Sequence, residues 1–285
     1  MVDVDAARAG PAGRASAPPP HRPTAGAGAR RAALIVVAAV ILAAGAFGLA
    51  AALGGSGRPG PPAPSLGIAE DRAVPASVLD IPLVDQRGAT TSLSALRGKV
   101  VVLTPFLTSC QETCPITTGL YLQMERSVRA ARLGSDVVFV EASVDPERDT
   151  PARLAAYERV TRADWPMLTG ASTDLAALWR YFGAFYQKVG EDTPPGVDWQ
   201  TGRPYTYDVN HSDGFMVLDR AQHLRFVTGA VPDDRGRRLP ASLKAMLSRQ
   251  GRRDLSSPPG TAWTVSDGLR AIGWVVGGTV PPVQG

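Results

Sequence analysis

A strand–helix–strand–helix succession followed by antiparallel strands and a last helix predicts an α/β fold whose mixed sheet is covered on both faces. Three features of the 285-residue chain carry that expectation. VVVLTPF, Val100 to Phe106, is a β-branched run suited to a strand in a sheet buried on both faces. DVVFVEASV, Asp136 to Val144, is a second run of the same kind. Between and after them the apolar residues fall at helical spacing, at Ile116, Leu120, Leu122, Met124 and Val128, and again in TDLAALWRYF.

Taken in chain order, folded structure is expected from about Ser77. LDIPLVDQRGATTSLSALRGK alternates apolar and polar residues around Gln86-Arg87-Gly88, which predicts a hairpin leading into the Val100–Phe106 strand. Pro105 lies inside that strand and predicts that it ends there, because proline cannot donate to a sheet ladder. After the second core strand, Asp149 and Thr150 are good helix caps and Pro151 suits a first helical position. Asp145 and Asp149 are read as turn and cap residues rather than as site residues. TDLAALWRYFGAFYQKV reads as a helix running into a strand. YTYDV, GFMVLD and HLRFVTG follow as short strands, the last two joined by a turn near Arg220–Gln222, and residues 236–250 read as a closing helix. No internal repeat is visible.

Residues 32–53, AALIVVAAVILAAGAFGLAAAL, contain no charge, polar side chain or proline. At about 1.5 Å per residue such a helix reaches roughly 33 Å, enough to cross a hydrocarbon core and longer than the apolar region of most cleaved signal peptides. Arg8, Arg14, Arg22, Arg30 and Arg31 precede it, and the first basic residues after it are Arg58 and Arg72. The positive-inside rule then keeps the amino terminus in the cytoplasm and places the rest outside. Residues 1–31 read as a disordered cytoplasmic tail, 32–53 as a single-pass cell-membrane anchor and 54–76 as a flexible tether rich in Pro, Gly, Ala and Ser. The net charge of +4 is mostly this tail, whose five arginines against two aspartates make +3. Too little remains for a nucleic-acid footprint, and that function class is excluded.

The chemistry is concentrated in LTSCQETCPITTGLYLQM, which holds both cysteines. Cys110 follows the first core strand and Cys114 stands before Pro115 at the mouth of a helix. An i, i+4 spacing lets two sulfurs converge, and a helix amino terminus favours the thiolate. Three readings are open: a structural disulfide in an exported domain, a redox dithiol with one residue more than Cys-x-x-Cys, and a metal site. The last requires a further ligand. Of the three histidines, His21 is in the tail, His223 opens a strand, and His211 sits in a polar loop between strands where ligands are commonly presented. Two thiolates and an imidazole suit copper, and also zinc with an open fourth position.

TSCQETCP, VDPERDTPARLAAY, WPMLTG and NHSDGFMVLD, in that order behind an amino-terminal anchor, resemble the Sco/SenC copper-binding proteins involved in cytochrome c oxidase assembly. The resemblance covers about residues 77–250, expected as the copper-binding domain. It implies a thioredoxin-like fold with an inserted β-hairpin, and a copper ion held by Cys110, Cys114 and His211. It also implies cytochrome c oxidase subunit II and an upstream copper donor as partners. The function implied is a metallochaperone for the binuclear copper site, with a thiol–disulfide oxidoreductase using the redox pair Cys110 and Cys114 as the alternative. Where the family commonly has Asp before the histidine, this chain has Asn210, with Asp208 two places earlier. Residues 251–285 lie outside the resemblance. In them SDGLRAIGWVV reads as a short amphipathic helix, too short to span a membrane.

Overall fold

The computed structural model describes residues 58–235 and 239–283. The expected tail and anchor, residues 1–31 and 32–53, lie outside them, as does His21. Among the described residues no helix is long and apolar enough to cross a membrane.

The chain opens with β1 (Ile68–Ala73), a one-turn α1 (Ala76–Leu79) and the short strands β2 (Leu83–Asp85) and β3 (Thr90–Thr91). The central unit is β4 (Val100–Phe106), α2 (Thr113–Ala130) and β5 (Val137–Ser143). Next come α3 (Pro151–Thr161), β6 (Met167–Thr169), α4 (Ser172–Phe182), β7 (Tyr186–Val189), β8 (Asp208–His211), β9 (Phe215–Leu218), β10 (His223–Thr228) and β11 (Val231–Pro232). The carboxyl-terminal part holds α5 (Ala241–Met246), α6 (Arg249–Ser256), β12 (Ala262–Trp263) and α7 (Val265–Val276).

Eight strands form one mixed sheet in the order β1-β10-β9-β4-β5-β6-β2-β3. β4 pairs in parallel with β5, from Val100 opposite Val137 to Phe106 opposite Ser143, and antiparallel with β9 on its other side. Every residue of β4 is buried, so helices cover both faces there. The β4-α2-β5 crossover followed by the β9–β10 hairpin and a helix is the mixed α/β arrangement expected of a thioredoxin-like core. β7 and β8 form a separate two-stranded ladder between α4 and β9.

Sequence and structure part in four places. β4 runs through Pro105 to Phe106; its ladder with β9 has already stopped at Leu103, so the missing N–H falls where only one neighbouring strand continues. YTYDV is strand only from Asp208, because Tyr205 and Tyr207 clasp the Arg148 guanidinium, which stands 3.9 Å from the Tyr207 ring centre and 5.3 Å from that of Tyr205. The closing helix is two helices: Leu247 leaves helical geometry and Ser248 caps α6 by accepting from the Gly251 N–H. Residues 68–73, expected inside the tether, form β1 along the edge of β10, with Ile68 opposite Val227 and Ala73 opposite His223.

The carboxyl-terminal segment is part of the core. Trp263, Val265, Leu269 and Ile272 are buried, and a capping box of Thr264 and Asp267 starts α7.

Inside the sheet, Glu141 of β5 is fully buried. Thr118 Oγ1–H donates to its Oε1 (2.6 Å) and Trp165 Nε1–H to its Oε2 (3.0 Å). Burial outweighs these two bonds and pushes the carboxyl from its ordinary 4.5 up to about 7. The unfolded chain therefore releases this proton first. Stability falls as pH rises from about 4.5 to about 7 and is level above, by an amount on the order of 3 kcal/mol. Glu141→Gln removes that slope. Urea titrations at pH 4.5 and 8 are expected to show the variant gaining about 3 kcal/mol on the parent between the two; an unchanged difference refutes the buried, proton-holding state.

Candidate metal centre

The strand–helix junction after β4 is a short loop, residues 107–112, pinned from three sides. Asp149, fully buried, accepts from the Thr108 N–H (3.1 Å), the Thr108 hydroxyl (2.6 Å) and the Ser143 hydroxyl (2.6 Å). Trp199 Nε1–H donates to the Thr108 carbonyl (2.7 Å), and Gln111 Nε2–H to the Val197 carbonyl (2.8 Å). Arg153 donates to the Thr108 hydroxyl and pairs with Asp198 at 2.7 Å. The α3 cap proper is Thr150, which accepts from the Arg153 N–H, with Pro151 at the first helical position. Asp149, expected as a second cap, instead turns inward and ties α3 and β5 to the cysteine loop.

Cys110 lies in that loop, half-buried; Cys114, buried, is in the first turn of α2. The helix starts at Thr113, ahead of Pro115. Cys114 N–H points at Cys110 Sγ, 3.4 Å away, so one of the unsatisfied amides of the helix start serves the first sulfur. The two thiols are free.

His211 is the last residue of β8, opposite Tyr186 of β7, rather than a loop residue. The alternation of a strand turns Val209 inward and leaves Asn210 exposed. Hence the Asn in place of Asp at 210 lies away from the site. His211 Nδ1–H donates to the Ser212 carbonyl at 2.8 Å, which leaves Nε2 to face Cys114 Sγ at 3.4 Å. Ligand atoms of Cys110, Cys114 and His211 lie within 4.8 Å of one another. Among the described residues this is the cluster of that kind, and the other described histidine, His223, is spent on Asp71 at 2.8 Å.

The electrostatics divide the two thiols. The Cys114 side chain hydrogen-bonds Cys110 and, against burial, holds the Cys110 thiol well below its ordinary value, with His211 adding to the effect. Burial pushes the Cys114 thiol up, and the neighbouring Cys110 sulfur adds to it. His211 is burdened by burial, yet its contact with Cys110 and the carboxylate of Asp213 raise it to about 9. The shifts favour a thiolate at Cys110 beside a protonated His211, and the thiolate is the form of cysteine that binds a soft cation.

Asp213 is the residue the motif reading passed over. Burial holds its carboxyl above the ordinary value, against a hydrogen bond from Thr113 at the start of α2 and the charge of nearby His211. The signal was NHSDG: an Asp two residues past the histidine, next to Gly214. Gly214 has φ +87°, and a Cβ there would run into the Thr228 carbonyl, so only glycine lets the chain turn from Asp213 into β9. Glu112 was also passed over; burial first, then Cys110 and nearby carboxylates, push it to about 7.

The donor set fits copper: two soft sulfurs and an imidazole with no carboxylate among them suit Cu(I) in low coordination, whereas hard cations want oxygen. Zinc would need a fourth ligand or water.

Residues 74–248 match the family model described as SCO1/SenC. An SCO2-like protein of Rickettsia felis is 26% identical over 141 residues, 49% of this chain and 63% of that protein. The SCO1 protein homolog of Bacillus subtilis is 33% identical over 91 residues, 31% of this chain and 46% of its own length. The chain thus spans less than two thirds of either relative. The structure of Bradyrhizobium japonicum ScoI with copper bound aligns over 57% of this chain and 92% of that one, at 25% identity and a TM-score of 0.43.

Proposed function

We propose, from the premise that this chain belongs to the SCO1/SenC family, that it is a membrane-anchored copper carrier which holds Cu(I) through Cys110, Cys114 and His211. The observation that carries this reading is the convergence of three soft or borderline donors from a loop, a helix start and a strand end, all within 4.8 Å. Residues 77–250 are the carrier domain, held outside the cell membrane by residues 32–53. Copper is the cargo. Cys110 supplies the more readily ionised thiolate, and the Ser212 carbonyl keeps His211 Nε2 turned to the metal. A lean ligand set leaves room for an incoming thiolate to take the ion by exchange, and oxidation of the pair to a disulfide withdraws two ligands at once. The acceptor is the binuclear copper site of cytochrome c oxidase subunit II, and a separate donor loads the carrier.

Titration of the reduced chain with Cu(I) against a chromophoric chelator tests the site. One ion per chain is expected, with Cys110→Ser, Cys114→Ser and His211→Ala each weaker by more than about 100-fold, the upper range of losses from residues that only support a ligand. A His211→Ala variant that binds as tightly as the parent would sink the three-ligand reading.

The lowered Cys110 thiol also favours a second reading, a thiol–disulfide oxidoreductase that reduces the acceptor's cysteines. That activity needs both cysteines but no ligand from His211, so His211→Ala is expected to keep measurable exchange, slowed only by losing the share of the Cys110 lowering that His211 supplies, while copper transfer is abolished.

A further inference from the structure

We propose that the outer face of α6 is the docking surface for the protein that exchanges copper with this chain, and that this partner presents a carboxylate-rich patch beside its own thiols. The proposal rests on the carrier reading above. α6 begins at Arg249, just past residues 74–248 that match the family model.

The helix has two faces. Gly251 and Asp254 are buried, while Arg249, Arg252 and Arg253 are exposed and are joined by Lys244 of α5, whose carbonyl accepts from Arg252 Nη1 at 3.2 Å. Among the described residues none of these four cations stands in an ion pair. The local acid, Asp254, is turned inward and bonded by Gln250 at 2.6 Å. Arg252 bonds the Lys244 carbonyl and Arg253 the Gln250 amide oxygen, but neither partner is charged, so four neighbouring like charges stay unneutralised and suit this face to an opposite charge.

Its position ties that charge to the metal site. Ser248 N–H donates to the Gln111 carbonyl at 2.8 Å. Gly251 packs so close that a Cβ would overlap the same carbonyl oxygen and crowd Glu112 Cα. The helix therefore rests on the segment between the two cysteines. Arg249 and Arg253 line a cleft of about 880 Å³ together with Ser109, Gln111 and Glu112. Val197, 53% exposed, sits in the same cleft and offers an apolar contact.

The rest of the cleft lining decides the occupant. It includes Glu191, Asp192 and Asp208. A bilayer of anionic lipid is uniformly negative and would meet those carboxylates as well as the arginines, whereas a folded protein can be acidic in one patch and neutral or basic in the next. Steering by α6 would raise the encounter rate where exchange takes place.

The test uses the full chain, loaded with Cu(I) in phosphatidylcholine vesicles, and two synthetic Cys-x-x-x-Cys peptides, one flanked by four glutamates and one by four lysines. At low salt the glutamate peptide is expected to capture copper about tenfold faster or more, and the gap to close at about 0.5 M salt. Arg249→Ala/Arg252→Ala/Arg253→Ala is expected to bring the glutamate peptide down to the lysine rate while copper stoichiometry stays at that of the parent. Equal rates for the two peptides, or a preference that survives the triple variant, overturns the proposal. So does loss of the preference in phosphatidylglycerol vesicles, which assigns the arginines to lipid. A chain that fails to load copper refutes the carrier reading alone. Docking is then read from thiol–disulfide exchange, in which the two chain thiols pass two electrons and two protons to the peptide disulfide and become a disulfide themselves. The same preference between peptides is expected there.

Discussion

Replacing Trp263 with alanine is expected to remove about 3–5 kcal/mol of stability, a large share of what a domain of this size possesses. Trp263 is completely buried, with ring centres of Phe215 and Tyr121 at 4.9 and 6.3 Å. Its strand β12 lies parallel to β11, with Trp263 opposite Pro232. The lost volume cannot be refilled, because the neighbours are themselves ring systems held in the core. Among the described residues Trp263 Nε1 is buried with no hydrogen-bond partner, so Trp263→Phe keeps most of the packing and discards an unsatisfied donor; its cost should be under about 1.5 kcal/mol. Urea unfolding of the two variants checks the pair of values. A loss below about 1 kcal/mol for alanine would mean that the carboxyl-terminal segment is a passenger on the domain.

Asp149→Ala is the second large effect, expected at about 3–5 kcal/mol because it strands three buried donors at once. Its influence reaches the metal site through position alone. Asp149 touches no ligand, but it fixes Thr108, two residues before Cys110, and Ser143 at the end of β5. Weakening of Cu(I) binding by about 10–100-fold is expected in the variant, as for residues that hold a ligand in place. Asp149→Asn, which keeps the shape and one acceptor oxygen, should recover most of the affinity. If the alanine variant is destabilised yet binds copper as tightly as the parent, Asp149 serves the fold only.

The architecture was legible wherever one physical demand dominated. β4 and β5 have no solvent-facing side, so runs rich in Val, Leu and Phe without polar alternation named them, and the caps around Thr150 and Pro151 marked the start of α3 to the residue. Misreadings arose where side chains served two purposes. Tyr205 and Tyr207 mimic strand alternation while clasping Arg148, and Asp149 mimics a cap while anchoring the cysteine loop. The metal cluster was reached from the cysteine spacing and the family resemblance, but its surroundings were not. Asp213 lies close to His211 in the chain, yet its partner Thr113 is 100 positions earlier. Such pairings depend on how β8 and α2 meet, which no local pattern encodes. In residues 251–285 the amphipathic pattern of SDGLRAIGWVV named the helix that α7 forms, but the place of this segment in the core is visible only from the burial of Trp263, Leu269 and Ile272.

β1 bears on how far this protein can work from the bilayer. Residues 68–73 are fastened along β10, Leu66 packs on the core with its carbonyl accepting from the Thr228 hydroxyl at 2.6 Å, and Arg58 and Pro59 lie against Gly277 and Gly273 at the end of α7. Of the 23 residues expected as a tether over 54–76, at most the four of 54–57 are then left for that role. Fully extended they span about 14 Å instead of about 80 Å. If residues 32–53 are the proposed anchor, so short a link would hold the domain against the bilayer surface, with little freedom to reorient between partners.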